Sequence, residues 1–431
     1  MSSPSSILIV GAGQAAAVAV AALRGHGYSG RISLVGDEAH PPYERPPLSK
    51  DLLVAASPDT EPAISVKPAG FYEESQVDLK LGLSVTHLDT NGKVAALSDG
   101  STVGFDKCLL ATGGLARTLP DFPETAPNVF YLRTLDDARH LRAAMQPGKH
   151  VVIIGAGFLG LEIASTALGK GLTASVIEYA PRALARVVPP EFSGWLEAQA
   201  ARAGATLHLG QAAREVVAPA ASQGAWQLTL NNGTVLSADL VVVAVGLTAN
   251  TALARDASLS VDTQNGGIVV DSQCRTSHGD IFAAGDCTSQ IRDASGAGMR
   301  LESWQNANEQ ARIAAAAMLG ETAEPAAYPW FWTDQFGHNI QMLGLPQAGL
   351  RYVTRGDTSG GATPAKFIMV GLLDNIPVHA IAVNAGGDLR ALRPVFESRL
   401  AIDPSQFTDT LVTVRAFAKQ VLAQATSVSP A

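Results

Sequence analysis

Residues 7–38 read ILIVGAGQAAAVAVAALRGHGYSGRISLVGDE, and residues 151–178 read VVIIGAGFLGLEIASTALGKGLTASVIE. Each stretch opens on an apolar run rich in β-branched residues and passes through Gly-x-Gly into a segment with helical periodicity. Each then turns at a glycine and closes on a second apolar run that ends in acid. This is a βαβ unit written twice, and it predicts an α/β chain built on parallel sheets.

The glycines have distinct physical tasks. Gly11 and Gly155 permit the tight turn after the first strand. Gly13 and Gly157 let the backbone approach a pyrophosphate at the helix N-terminus, and Gly160 lets helix and strand pack closely. The first copy has Ala16 at that third position. Asp37 and Glu178 stand where a carboxylate binds a ribose hydroxyl, Asp37 being displaced by one residue past Gly36. One such motif is weak evidence, but two in one chain point to two bound dinucleotides. For hydride chemistry these are a flavin and a nicotinamide.

Size and composition agree. A chain of 431 residues with 47% hydrophobic content has room for two to four domains at roughly 100–200 residues each. A net charge of −8 argues against nucleic acid as the main partner. No apolar run is long enough to predict a membrane span. The start MSSPSS leads directly into the first apolar run and is read as carrying no signal peptide. Cys108, Cys274 and Cys287 are widely spaced and form no C-x-x-C, so free thiols and a reducing cytoplasm are expected. The histidines form no metal-binding pattern, no metal is assigned, and no G-x-S-x-G suggests a serine hydrolase.

The stretch HPPYERPPLSKD, residues 40–51, has four prolines between Pro41 and Pro47. Proline fixes φ and removes a donor, so a stiff, extended segment delivering Lys50 is expected here. Farther on, FDKCLLATGG (105–114), ADLVVVAVGL (238–247) and DIFAAGDC (280–287) read as buried strands, the last ending at Asp286. ESWQNANEQARIAAAAMLG (302–320) reads as a helix, and a boundary is expected within 323–335. HNIQMLGL and VHAIAVN are alternating strands of a C-terminal α+β domain, and SVSPA reads as a frayed tail.

Over nearly the whole chain these motifs resemble the FAD-dependent, NADH-linked ferredoxin reductases of bacterial Rieske dioxygenase and P450 systems. Biphenyl dioxygenase ferredoxin reductase and putidaredoxin reductase typify that family. The resemblance rests on GAGQAA, PPLSKD, LLATGG, YLRTLDDA, GAGFLGLE, GDIFAAGDC, ESWQNANEQAR and PWFWTDQ, in that order. It implies a glutathione-reductase-type fold: two Rossmann-like domains followed by a C-terminal interface domain. Residues 1–114 and 247–325 would form the FAD-binding domain, 115–246 the NAD-binding domain and 326–431 the interface domain.

Further roles follow from the resemblance. FAD contacts fall on Ala15, Asp37, Lys50, Val85, Arg133, Asp286 and Trp304, with Asp286 accepting from the ribityl hydroxyls. Disulfide reductases of this fold place a redox-active cysteine pair near the proline-rich stretch, and this chain has none there. Electrons would then pass from flavin directly to an acceptor, with Lys50 stabilising the reduced flavin. Glu162 would pair with Lys50 beside the nicotinamide, although an acid in the first turns of a helix also suits the helix dipole. Trp332 matches the tryptophan between flavin and ferredoxin, while Trp330 reads equally well as core.

The implied activity is NADH:ferredoxin oxidoreduction, feeding a [2Fe–2S] ferredoxin and through it a Rieske oxygenase of aromatic catabolism or a P450. Rival readings are a rubredoxin or monodehydroascorbate-type reductase, and a signalling flavoprotein resembling apoptosis-inducing factor. An acidic ferredoxin would need a local basic patch. Arg312 matches a basic family position, and Arg390, Arg393 and Arg399 form a second candidate. Glu178 predicts a preference for NADH over NADPH, opposed by Arg182 if the intervening turn folds back. Oligomeric state is left open.

Overall fold

A computed structural model of the chain describes residues 4–219, 224–292, 296–324, 328–359 and 364–428. The expected domain boundary at 325/326 and the last three residues of the expected tail lie outside them. Ser427 and Val428, the start of that tail, still belong to the helix Val414–Val428. The chain divides into two compact units. The first is Met1–Pro47, Thr60–Arg117 and Leu247–Ala327, and the second is Leu48–Asp59, Thr118–Gly246 and Tyr328–Ala431.

The first unit centres on a five-stranded parallel sheet. Its order is Ile281–Ala283, Lys107–Leu110, Ser6–Val10, Arg31–Gly36, Val77–Leu81. Side chains alternate across a strand, and here both faces are covered, so the strand reads as one continuous apolar run. Ile7 and Ile9 face a core shared with Leu23 of the helix Gln14–Gly25 and with Ala311 and Ala314 of the helix Trp304–Met318. Leu8 and Val10 face the opposite core, shared with Leu88, Leu97 and Val103 of a three-stranded meander. Fully burying one such side chain is worth roughly 1.5–3 kcal/mol.

The second unit repeats the plan. Its parallel sheet runs Ala205–Leu209, Thr173–Glu178, His150–Ile154, Leu240–Val243, Val129–Tyr131. The strand order relative to the first βα turn is the same as in the first unit. The outermost strand beyond Leu240–Val243 comes early in the chain here, whereas its counterpart Ile281–Ala283 comes late. The unit also holds an antiparallel sheet, ordered Trp330–Gln335, His338–Gly344, Ile376–Val383, Lys366–Leu373, Arg351–Asp357. Helices Gly386–Glu397 and Val414–Val428 pack on it around Phe396, Phe407 and Phe417. Arg355, buried, donates to the carbonyls of Phe407, Asp409 and Val412 and ties the intervening loop to the sheet.

The proline-rich stretch departs from expectation. Residues around Tyr43 are extended, with an antiparallel bridge from Tyr43 to Ser65. From Pro46 the chain winds instead into a 3₁₀ turn, Pro46–Ser49, and then a short helix, Asp51–Val54. Proline's fixed φ suits the first positions of a helical turn, where its missing N–H has no intrahelical partner to lose.

Candidate active site

In both parallel sheets the Gly-x-Gly turn lies where strand order reverses, between the first strand and the neighbour added on its other side. Gly11 has φ +104°, and a Cβ there would lie 2.3 Å from the Ala111 carbonyl oxygen. Gly155 has φ +108°, and a Cβ there would lie 2.6 Å from the Ala244 carbonyl oxygen. Only glycine fits either crossing. At Gly13 and Gly157, the N-cap positions, an added Cβ would meet nothing within 4 Å, so the space beside each N-cap is open. At Gly160 a Cβ would lie 2.0 Å from the Gly155 carbonyl oxygen, so only glycine lets the helix approach the turn this closely.

The repeat is not symmetrical at its acids. Val10 pairs with Val35 and Ile154 with Ile177, which aligns Glu178 with Gly36 rather than with Asp37. Asp37 is exposed, one residue farther on. Its neighbour Glu38 is held by the Tyr43 hydroxyl and by Arg45 at 2.7 Å. Burial disfavours the Arg45 cation, but Tyr43, Glu38 and Asp286 outweigh it and raise its pKa. Arg45, whose cation Tyr43 and Glu38 stabilise first and Asp286 after them, is a residue the sequence reading missed.

The other expected flavin residues of the first unit are Ala15, Val85, Asp286 and Trp304. Ala15 lies buried in the first helix, Val85 begins a strand of the meander, and Trp304 begins the helix capped by Ser303. Asp286 follows Gly285, whose N–H donates to Gln310 Oε1 at 2.8 Å. That oxygen also accepts from Thr288 at 2.9 Å and Asn306 at 3.2 Å. The buried amides of the EQAR helix therefore hold the turn that presents Asp286. Helical periodicity alone does not reveal this, because Asn306 and Gln310 look like polar surface residues.

Lys50 and Arg133 belong to the second unit. The Arg133 N–H donates to Asp137, within the capping box of the helix Leu135–Ala144. Lys50 Nζ stands 3.2 Å from Glu162 Oε1 and 3.5 Å from Asp334 Oδ2. It also lies 5.8 Å from the centre of the Trp332 ring, within cation–π range. Trp332 stacks on Trp330 with centroids 5.1 Å apart and planes inclined by 19°. Trp330 is half-buried, packs against the C-terminal core and donates to Gln341 at 3.3 Å. Lys50, Glu162 and Trp332, far apart in sequence, are therefore neighbours in space.

All three cysteines are free and buried. Burial pushes each thiol pKa up, that of Cys274 to about 12, so none is poised as a thiolate. Among the described residues no cluster of histidine, cysteine and carboxylate could hold a metal ion, and no helix is long and apolar enough to cross a membrane. Arg312 is exposed and shares a shallow cavity of about 370 Å³ with Lys67 and His26. His26 lies 2.8 Å from Glu321. In the second candidate patch, Arg393 pairs with Glu397 at 2.7 Å, while Arg390 and Arg399 are exposed.

Comparison with known proteins agrees with this geometry. Residues 5–311 match the pyridine nucleotide-disulphide oxidoreductase family, and residues 330–418 match the reductase C-terminal family. The chain is 39% identical to the 3-phenylpropionate/cinnamic acid dioxygenase ferredoxin–NAD(+) reductase component of Photorhabdus laumondii, over 93% of this chain and 97% of that one. The reductase in a covalent putidaredoxin reductase–putidaredoxin complex is similar at a TM-score of 0.90 and 31% identity, covering 99% of this chain and 100% of the other. The ferredoxin reductase for the CYP199A2 system of Rhodopseudomonas palustris matches at a TM-score of 0.88 and 36% identity, covering 97% and 100%. With two dinucleotide cradles on reversed parallel sheets and a reductase C-terminal module after them, the chain belongs to the pyridine nucleotide-disulphide oxidoreductase family.

Proposed function

We propose that this protein is an NADH:ferredoxin oxidoreductase whose partner is a [2Fe–2S] ferredoxin serving a Rieske oxygenase or a P450. The observation that carries the reading is the combination of two dinucleotide cradles with three cysteines that are all buried free thiols. Two nucleotides can be held, but no dithiol stands between them and an acceptor. The cradles fit a pyrophosphate, because each offers helix N–H groups beside open space. A flavin held there would supply the exchange between two-electron hydride chemistry and the single electrons that a one-electron cluster requires.

The chain's own residues then divide as follows. Gly11, Gly13, Ala15, Asp37, Val85, Asp286 and Trp304 of the first unit would hold FAD. Gly155, Gly157, Gly160 and Glu178 would hold NADH. Lys50 and Glu162, paired at 3.2 Å, would orient the nicotinamide, a task of alignment more than proton transfer. Trp332 lies on the electron exit, and Arg312 with Lys67 meets an acidic partner. Residues 1–114 with 247–325 form the FAD domain, 115–246 the NAD domain and 326–431 the interface domain. Unpaired thiols suit the cytoplasm.

Steady-state NADH oxidation with purified acceptors tests the reading. Fast turnover is expected with a [2Fe–2S] ferredoxin and slow turnover with rubredoxin or monodehydroascorbate. Turnover with either of those at the ferredoxin rate would overturn it.

A further inference from the structure

Glu162 is buried, 8% exposed, and its carboxylate carries two hydroxyl donors besides Lys50. Ser49 Oγ donates to Oε2 at 2.5 Å, and Thr333 Oγ1 donates to Oε1 at 2.5 Å. Both donors are themselves buried. Each is anchored to the helix Phe158–Gly169 that bears the carboxylate. The Ser49 carbonyl accepts from Thr166 Oγ1 at 2.8 Å. The Thr333 hydroxyl accepts from Gln335 Nε2 at 3.0 Å, and that amide also donates to the Phe158 carbonyl at 3.3 Å. Phe158, Glu162 and Thr166 are four residues apart and share one helix face.

We infer that Ser49 and Thr333 are positioning residues: by clamping one oxygen each, they fix the plane of the Glu162 carboxylate and, through it, the place of the Lys50 ammonium. The inference rests on the reading that Glu162 and Lys50 serve hydride transfer. A terminal carboxylate torsion is broad and has no strong preference of its own. Lys50 also has a second carboxylate, Asp334, whose side chain is 48% exposed. A loosened Glu162 lets the ammonium drift toward Asp334 and water. A clamped one keeps it inside, where a misplacement of an ångström is costly. Thr333 and Trp332 are consecutive on one strand and point to opposite faces, so one strand supplies both the clamp and the aromatic ring near Lys50.

The test compares Thr333→Val, Thr333→Ser, Ser49→Ala and Glu162→Gln in the FAD-loaded protein. It reads the rate of flavin reduction at saturating NADH, the NAD+ dissociation constant, the flavin midpoint potential and the Tm. Thr333→Val and Ser49→Ala should each slow reduction about tenfold, the worth of one hydrogen bond to a charged group, with NAD+ affinity little changed. A tenfold loss of reduced-flavin stabilisation lowers a two-electron potential by about 30 mV. Thr333→Ser keeps the hydroxyl and should restore both rate and potential. Equal slowing by Thr333→Val and Thr333→Ser, in step with Tm, would mean packing and overturn the inference. Wild-type rates and potentials in both Thr333→Val and Ser49→Ala would overturn it too. If those two are normal while Glu162→Gln is slow, only the clamp fails. If Glu162→Gln is itself normal, the site reading fails along with it.

Discussion

Glu178 Oε2 accepts a 2.7 Å hydrogen bond from the Ala156 N–H, joining the end of the second strand to the Gly-x-Gly turn of the nucleotide cradle. The other oxygen accepts from the Ala180 N–H at 2.8 Å. The carboxylate is thus fixed at the edge of the cradle, with its remaining lone pairs available to a ribose.

This arrangement predicts strong preference for NADH. A 2′-phosphate would approach a fixed anion and lose a hydroxyl donor. Roughly 2–4 kcal/mol of discrimination follows, or about 30- to 1000-fold in kcat/KM. Arg182 does not oppose it. Its guanidinium donates to the carbonyls of Ala185 at 2.7 Å and Val188 at 2.8 Å, and to Ser193 Oγ at 2.7 Å. The ratio should therefore fall in the upper part of that range, and Glu178→Ala should narrow it. Measuring kcat/KM for both nucleotides decides it, and equal use by the wild type is the adverse result.

Trp332→Ala removes the ring beside Lys50 and the stacking partner of Trp330. Ferredoxin reduction should slow by about tenfold or more, equivalent to about 1.4 kcal/mol of barrier, while flavin reduction by NADH changes much less. Stopped-flow traces of the two half-reactions separate these outcomes. Equal slowing of both assigns the residue to packing.

Arg312→Glu reverses a charge beside Lys67 and His26 in the first unit. The KM for an acidic ferredoxin should rise by roughly three- to tenfold at low salt, and the effect should shrink as ionic strength grows. Arg393, already paired with Glu397, should matter less. An unchanged KM at low ionic strength would remove Arg312 from the docking surface.

Acid stability should depend in part on Asp280. Lys107, at 2.5 Å, and then Lys93, at 2.6 Å, hold its pKa down to about 2. Because the folded pKa is depressed, the ionised carboxylate stabilises the fold fully above its unfolded pKa of about 3.9. That contribution disappears as pH falls through about 2. Partial exposure screens the pair, leaving about 1 kcal/mol. Asp280→Asn should lower Tm near pH 6, with the gap to wild type narrowing steadily below pH 4. A gap independent of pH would assign the loss to packing.

Local pattern was enough for the two βαβ units, because strand, turn and helix there are consecutive and their glycines answer to local steric limits. Gly11, Gly155 and Gly160 stand out from the motif alone, and at each an added Cβ would run into backbone. Residues 46–49 form a 3₁₀ turn rather than extended chain, and proline's φ, common to extended chain and to the first turn of a helix, does not decide between the two. Tertiary structure alone decided what depends on segments remote in sequence. It brought Ser49 and Thr333 onto Glu162, and Gln310 under the turn before Asp286. A hydroxyl or amide carries no periodic signal of its own. Its role comes from the buried donor or acceptor that it must satisfy, and that partner is known only once the chain has folded.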